Sequence, residues 1–219
     1  MTVAPELAVP QLEFDVKGVA PAEHAVVPTL LVSLAVDAGG RAIRSLALDV
    51  QIRIDAGRRG YDEAEHERLF ELFGPPHAWS RSLRSFRWTT VSLTVPPFDG
   101  ATTVELAVPC TYDFDVAASK YLHALGDDGN VPLELLFSGT VFFSAADGRL
   151  QVARLSWDRE ARCALPVRVW REAVDRVFPG TAWLRIRSDV FDRLQAYKSQ
   201  RAFLSWDAAL ERLLEDAHD

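Results

Sequence analysis

The chain reads as an α+β protein: an antiparallel β-sheet, a long helix after the fourth or fifth strand, and a helical C-terminal segment. Two patterns predict this. Apolar residues alternate at period two through much of the chain up to residue 158, and helical spacing dominates from Arg159 onward. Strands grouped before helices favour α+β over an alternating α/β order. The run "IRSLALDVQIRID" decides the sheet type. Leu46, Leu48, Val50, Ile52 and Ile54 share one face, and Asp49, Gln51, Arg53 and Asp55 share the other. A strand with one wet face belongs in an antiparallel sheet.

The elements follow in order. Pro5 and Pro10 keep residues 1–11 a loose tail. "LEFDVKGV" alternates Leu12, Phe14 and Val16 against charged residues and reads as the first strand. "TLLVSLAVD" is the second, and the turn "AGGR" (38–41) leads back into the long strand above. "YDEAEHERLFELFGPP" is a helix with Asp62 as N-cap and Glu65 completing a capping box, stopped by Gly74 and two prolines. "FRWTTVSLTVP" and "TTVELAVP" are two strands reversed through "PFDGA". A helix over 111–125, capped by Thr111, comes next. "VPLELLFSGTVFFSA" and "LQVARLSW" then form a hairpin around "ADGR". Pro166 opens a further helix, and Ser188 and Ser205 cap two more. The organisation is therefore a tail (1–11), an α+β domain (12–158) and a mainly helical extension (159–219) packed on the same core.

Composition narrows the function classes. A chain of 219 residues can bury a sizeable core. No apolar run approaches the ~20 residues of a membrane span. The N-terminus lacks the basic and apolar regions of a signal peptide, and there are only two cysteines, so a reducing cytoplasm is the expected compartment. A net charge of -7 with no basic stripe disfavours nucleic acid.

The chemical candidates are weak. Cys110 precedes the 111–125 helix, where a thiol can gain acidity. His123, however, would lie roughly 20 Å further along that helix at ~1.5 Å per residue, far outside the ~3 Å reach of a nucleophile and its base. Asp113 and Asp115 add negative charge that opposes a thiolate, and as i, i+2 neighbours they face apart. Cys110 is expected to be a small buried hydrophobe. The five histidines, His24, His66, His77, His123 and His218, form no zinc spacing. Glu63 and His66 supply only one of the two Glu-x-x-His pairs that a di-iron bundle needs. No phosphate-binding or hydrolase-elbow motif occurs. No metal or cofactor is expected.

Aromatic residues offer a different lead. Trp79, Phe86 and Trp88, with Phe142 and Phe143, are the candidates for an apolar partner-binding groove; the alternative is that they fill the core. On the 111–125 helix, Phe114, Ala118, Tyr121, Leu122 and Leu125 form a core-facing stripe. Tyr112, Val116, Lys120 and His123 form a second, mixed stripe that suits an oligomer interface.

Two resemblances add to this. "PCTYDFDVAASKYLHAL", "VPLELLFSGTVFF" and "LPVRVWREAVDRVFPGTAWLRI" look like an uncharacterised family of actinobacterial proteins whose genes lie beside those of a nickel–iron hydrogenase. Residues 12–145 also resemble the SecB-type export chaperones in strand order, in "VELAVPC" leading into "TYDFDVAASKYL", and in the following "GNVPLELLFSGTVFF". Pro109 precedes Cys110 here, and the arginine–glutamate pair of that family's helix is missing. The resemblances imply a SecB-like, oligomeric scaffold with no catalytic residues, acting as an accessory or assembly chaperone for a nickel–iron hydrogenase component. A permanent structural subunit of that complex is the alternative, and a cysteine-dependent enzyme a third reading.

Overall fold

The computed structural model describes residues 9–110, 116–145, 147–156, 158–181 and 185–217. Its sheet is organised by one strand, β2 (Thr29–Ile54), which carries neighbours along both edges. β1 (Glu13–Pro21) and β4 (Phe98–Pro109) flank its first half, and β3 (Phe86–Val95) and β5 (Asn130–Ser144) flank its second, all antiparallel. β6 (Leu150–Arg154) and β7 (Glu160–Pro166) then pair with β5. The result is a seven-stranded antiparallel sheet with helices, an α+β fold.

Two expected reversals are absent. The "AGGR" segment lies inside β2: Gly39 and Gly40 take φ of 59° and 78°, which a side chain would strain, and the chain bulges without turning back. "PFDGA" is no hairpin either. Ile43 opposes Phe98 and Leu46 opposes Val95, so β3 and β4 run collinearly along the same edge of β2. Pro96 and Pro97 bridge the two, a tolerable place for residues without an N–H because this ribbon is an edge. The third expectation, the hairpin around "ADGR", is present: Ala145 N–H donates to Arg149 O at 2.8 Å, and Ser144 opposes Leu150.

Alternation along β2 buries a single face. Leu30, Val32, Leu34, Val36 and Ala38 are buried before the bulge, and Ile43, Leu46, Leu48, Val50, Ile52 and Ile54 after it. The two halves of that face meet the same core. Phe14 stacks on Phe137 with ring centroids 4.1 Å apart, yet their partners on β2 are Val36 and Val50. On a straight strand those positions would be roughly 45 Å apart at ~3.3 Å per residue. β2 must therefore curl strongly, which brings β1 against β5 and β7.

The helices close this curled sheet. α1 (Glu63–Arg68) starts at the Asp62–Glu65 capping box and α2 (Phe70–Phe73) ends at Gly74, φ 73°. α3 (Trp79–Ser82) follows. The long helix expected over 111–125 is shorter: α4 covers Ala117–Ala124, its N-cap is Val116 without a side-chain bond, and Thr111 lies outside the described residues. α5 (Val167–Val177) starts after Pro166 and buries Val167, Trp170, Ala173 and Val174. Burial of a Trp170-sized ring contributes on the order of 3 kcal/mol.

The segment expected to be mainly helical from residue 159 begins with a strand, and β7 and α5 belong to the sheet and its core. The chain forms two compact units, Met1–Ala182 and Trp183–Asp219. In the second, α6 (Ser188–Gln200) begins after Arg187, so Ser188 is its first residue and not its cap. Ser205 does cap α7 (Trp206–Asp216), accepting from Ala208 N–H at 3.1 Å. Among the described residues no helix is long and apolar enough to cross a membrane.

Gly139 tests the close approach of β5 to β2. Its φ is 152°, and a Cβ there would sit 2.1 Å from the Ala47 carbonyl oxygen. Gly139→Ala should cost about 3 kcal/mol or more in chemical denaturation, because backbone must move. Gly148→Ala, with φ 82° and open space around it, should cost only the ~1–2 kcal/mol of a left-handed residue.

Candidate partner-binding surface

The aromatic residues before β3 turn inward. Trp79 is 7% exposed, and its indole N–H donates to Gly74 O at 2.8 Å. Its ring meets Tyr61 edge-on at 5.1 Å and His66 at 4.7 Å. Phe86 packs on Tyr121 at 5.6 Å, and Trp88 is partly buried against the same core. The groove expected from Trp79, Phe86 and Trp88 is thus largely a wall between α1–α3 and the sheet. Trp79 leaves the partner-binding set because it satisfies both its ring and its N–H inside.

A polar knot lies beside that wall. The Ala56 carbonyl can only accept, so Tyr61 donates its hydroxyl proton there at 2.7 Å, and Tyr121 donates to Tyr61 at 2.8 Å. Burial holds both phenols above their ordinary range. Glu65 is buried, accepts from Arg59 Nη2 at 2.9 and 3.2 Å, and accepts from Gly126 N–H at 2.9 Å. Arg68 and Arg171 donate to the Ala124 and Leu125 carbonyls at 2.7 and 2.5 Å, closing the end of α4. An open groove of about 540 Å³ runs past Arg59, Tyr61, Glu65 and residues 126–129. The charges of Arg59 and Glu65 are spent on each other, so this cluster reads as a clamp on the α4–β5 junction.

The expected oligomer stripe is also used internally. Lys120 is ion-paired with Glu71. His123 meets Trp170 edge-on at 4.8 Å, and burial holds its imidazole below its ordinary pKa. Val116 remains 37% exposed. Tyr112 lies outside the described residues, as do Asp113, Phe114, Asp115 and His218. The thiols are structural in their surroundings. Cys110 is 3% exposed, its Sγ donates to Val108 O at 3.7 Å, and burial pushes its pKa up to about 12. Burial likewise raises Cys163 to about 11. Among the described residues no cluster of three or more metal-ligating side chains occurs.

The two phenylalanines of β5 part company, as neighbours in a strand must. Phe143 is 3% exposed and faces the core, with the Arg41 guanidinium 5.5 Å from its ring centre, so it too leaves the partner-binding set. Phe142 faces outward and is half-buried. It opposes Val152 across the β5–β6 hairpin, and Leu150 lies two residues along. Leu150 and Val152 are 62% and 58% exposed, an apolar pair on a strand that has one neighbour among the described residues. Sequence reasoning missed these two residues. The signal was available: with Val141 and Phe143 inward, the "ADGR" turn sets Val152 opposite Phe142 on the outer face.

Two measurements check this description. Cys110 and Cys163 should label slowly with a thiol reagent at neutral pH in the native protein and fast in denaturant; rapid native labelling of Cys110 would contradict the burial. Glu65→Gln should destabilise by about 3 kcal/mol or more, since it leaves Arg59 buried without its counter-charge. The double variant with Arg59→Met should lose less than the two single losses added, which a double-mutant cycle reads directly.

No curated protein matches the chain. The model of a family described as "Family of unknown function (DUF6084)" matches residues 9–219. That match takes in nearly the whole chain, the curled sheet and both C-terminal helices included, and the chain belongs to this family.

Proposed function

We propose that this protein is a non-catalytic accessory protein that holds a partner polypeptide, in the manner of an assembly chaperone. The observation that carries the reading is the outward apolar patch that Leu150 and Val152 of the edge strand β6 form with Phe142 of β5. Exposed apolar side chains that cluster on one strand mark interaction surfaces more often than scattered single ones do. A net charge of -7 keeps a protein with such a patch soluble. The partner to test first is a nickel–iron hydrogenase component in the cytoplasm, which is what the sequence resemblance implies.

The test mixes the protein with a slowly refolding substrate and, separately, with the unprocessed hydrogenase large subunit. Light scattering and size exclusion report whether either is kept soluble in a complex. Retention of one or both is expected, and Leu150→Asp should weaken it at least about fivefold while leaving thermal stability within ~0.5 kcal/mol, as for an exposed position. If neither client is held, the chaperone reading is wrong. Constant stoichiometry with the mature enzyme would replace it with a permanent subunit role.

A further inference from the structure

The connection into β3 is rich in arginine, and neither the core nor the patch on β6 uses it. Arg81, Arg84 and Arg87 are all exposed. Arg84 Nε donates to the Arg81 carbonyl at 3.0 Å, which holds these two residues together. None of the three makes an ion pair among the described residues. Carboxylates are not scarce, since the chain has 31 Asp and Glu residues against 24 Lys and Arg. Three neighbouring cations without a carboxylate are therefore a local concentration that runs against the charge of the whole.

The sheet enlarges this patch. Arg87 lies directly opposite Arg53 on β2, Arg53 opposite Glu134 on β5, and Glu134 opposite Arg162 on β7. Directly opposed residues share a face. It is the outer one, because Ile52 and Ile54 on either side of Arg53 are buried. Glu134 serves two of these arginines, Arg162 at 3.2 Å and Arg53 at 3.9 Å. Arg53 also donates to Ser85 Oγ at 2.9 Å and to Ser85 O at 3.1 Å, which ties the connection to the sheet. Arg87 receives none of this. It faces a like charge across the strand pair, an arrangement that costs stability. Among the described residues β3 pairs with β2 alone, so Arg87 stands at the border of the sheet.

We propose that Arg81, Arg84 and Arg87, with Arg53 behind them, dock an acidic segment of a partner protein. Arg84 and Arg87 are at most about 10 Å apart along the chain, so a run of about five Asp or Glu residues spans the patch. Every cation here is an arginine, whose planar fork takes a carboxylate through two parallel hydrogen bonds. Nucleic acid is the poorer occupant. A phosphate backbone longer than the patch would run onto Glu134 and Glu160, and the net charge of -7 repels it beyond them. The surface does not rest on the apolar patch of β6: Glu134 and Phe142 are about 26 Å apart along β5 at ~3.3 Å per residue.

The experiment uses the full chain with fluorescein-labelled peptides of about six residues, one of glutamate and one of lysine, and a labelled oligouridylate of similar length. Fluorescence anisotropy at low salt should give at least about tenfold tighter binding of the glutamate peptide than of the other two probes, a preference that shrinks as salt is raised. Arg81→Glu with Arg84→Glu and Arg87→Glu should weaken glutamate-peptide binding at least about tenfold. Replacing the same three by Gln serves the purpose should the glutamate variant not fold. Arg44→Glu with Arg149→Glu and Arg154→Glu makes an equal charge change at exposed positions around the β5–β6 hairpin. It should leave the affinity within about twofold. Equal weakening by this control, or no effect of the Arg81, Arg84 and Arg87 variants, would overturn the proposal. So would tighter binding of the oligouridylate, which gives the patch to a nucleic acid. So would a wild-type dimer in sedimentation that the Arg81, Arg84 and Arg87 variant dissolves, which gives it to a second copy. Glutamate-peptide binding that persists where no client is held leaves this proposal standing without the chaperone reading. Client holding without peptide binding sinks this site alone.

Discussion

The rest of the fold depends on one strand being paired along both edges while burying only one face. β2 offers eleven buried positions from Leu30 to Ile54, more apolar length than a flat, one-sided sheet of this size can cover with short helices. Curling solves the problem, because the two halves of the buried face then share one core. The glycines at 39 and 40 supply the backbone freedom, and the Phe14–Phe137 stack marks where the halves meet. Gly139 lets β5 follow the bend without colliding with Ala47.

That curl fixes the fate of the aromatic side chains. α1 to α4 have to seal a concave sheet, and large rings fill such a space at small entropic cost. Trp79, Phe86, Tyr61 and Tyr121 are consumed there, with the hydroxyls and the indole N–H all bonded internally. The Arg59–Glu65 pair and the arginines that cap α4 tie the α4–β5 junction to the same wall. Ion pairs this buried hold geometry more than they add stability. Here the geometry held is the point at which the chain re-enters the sheet.

The exposed apolar pair Leu150 and Val152 is consequently at the sheet's far edge, where β5 and β6 run past the covered core. An edge strand that exposes Leu150 and Val152 together is an aggregation hazard that most proteins blunt. Arg154 at the end of β6 blunts it partly, as a charged side chain on an edge does.

The sequence by itself determined the local features. Period-two alternation gave the inward face of β2, the Asp62–Glu65 spacing gave the capping box, Ser205 its cap, and "ADGR" its hairpin, because each is settled by contacts within a few residues. It also made Cys110 a buried thiol. Only the tertiary structure decided the rest. A Gly-Gly pair reads the same in a bulge as in a turn, and "PFDGA" reads the same between collinear strands as between paired ones, since pairing partners are distant in the chain. Whether Trp79 faced solvent or core, and whether Lys120 and His123 were free, depended on Gly74, Glu71 and Trp170 arriving beside them. Val152 became an edge for the same reason: a strand is an edge by virtue of what fails to pair with it, which no local pattern records.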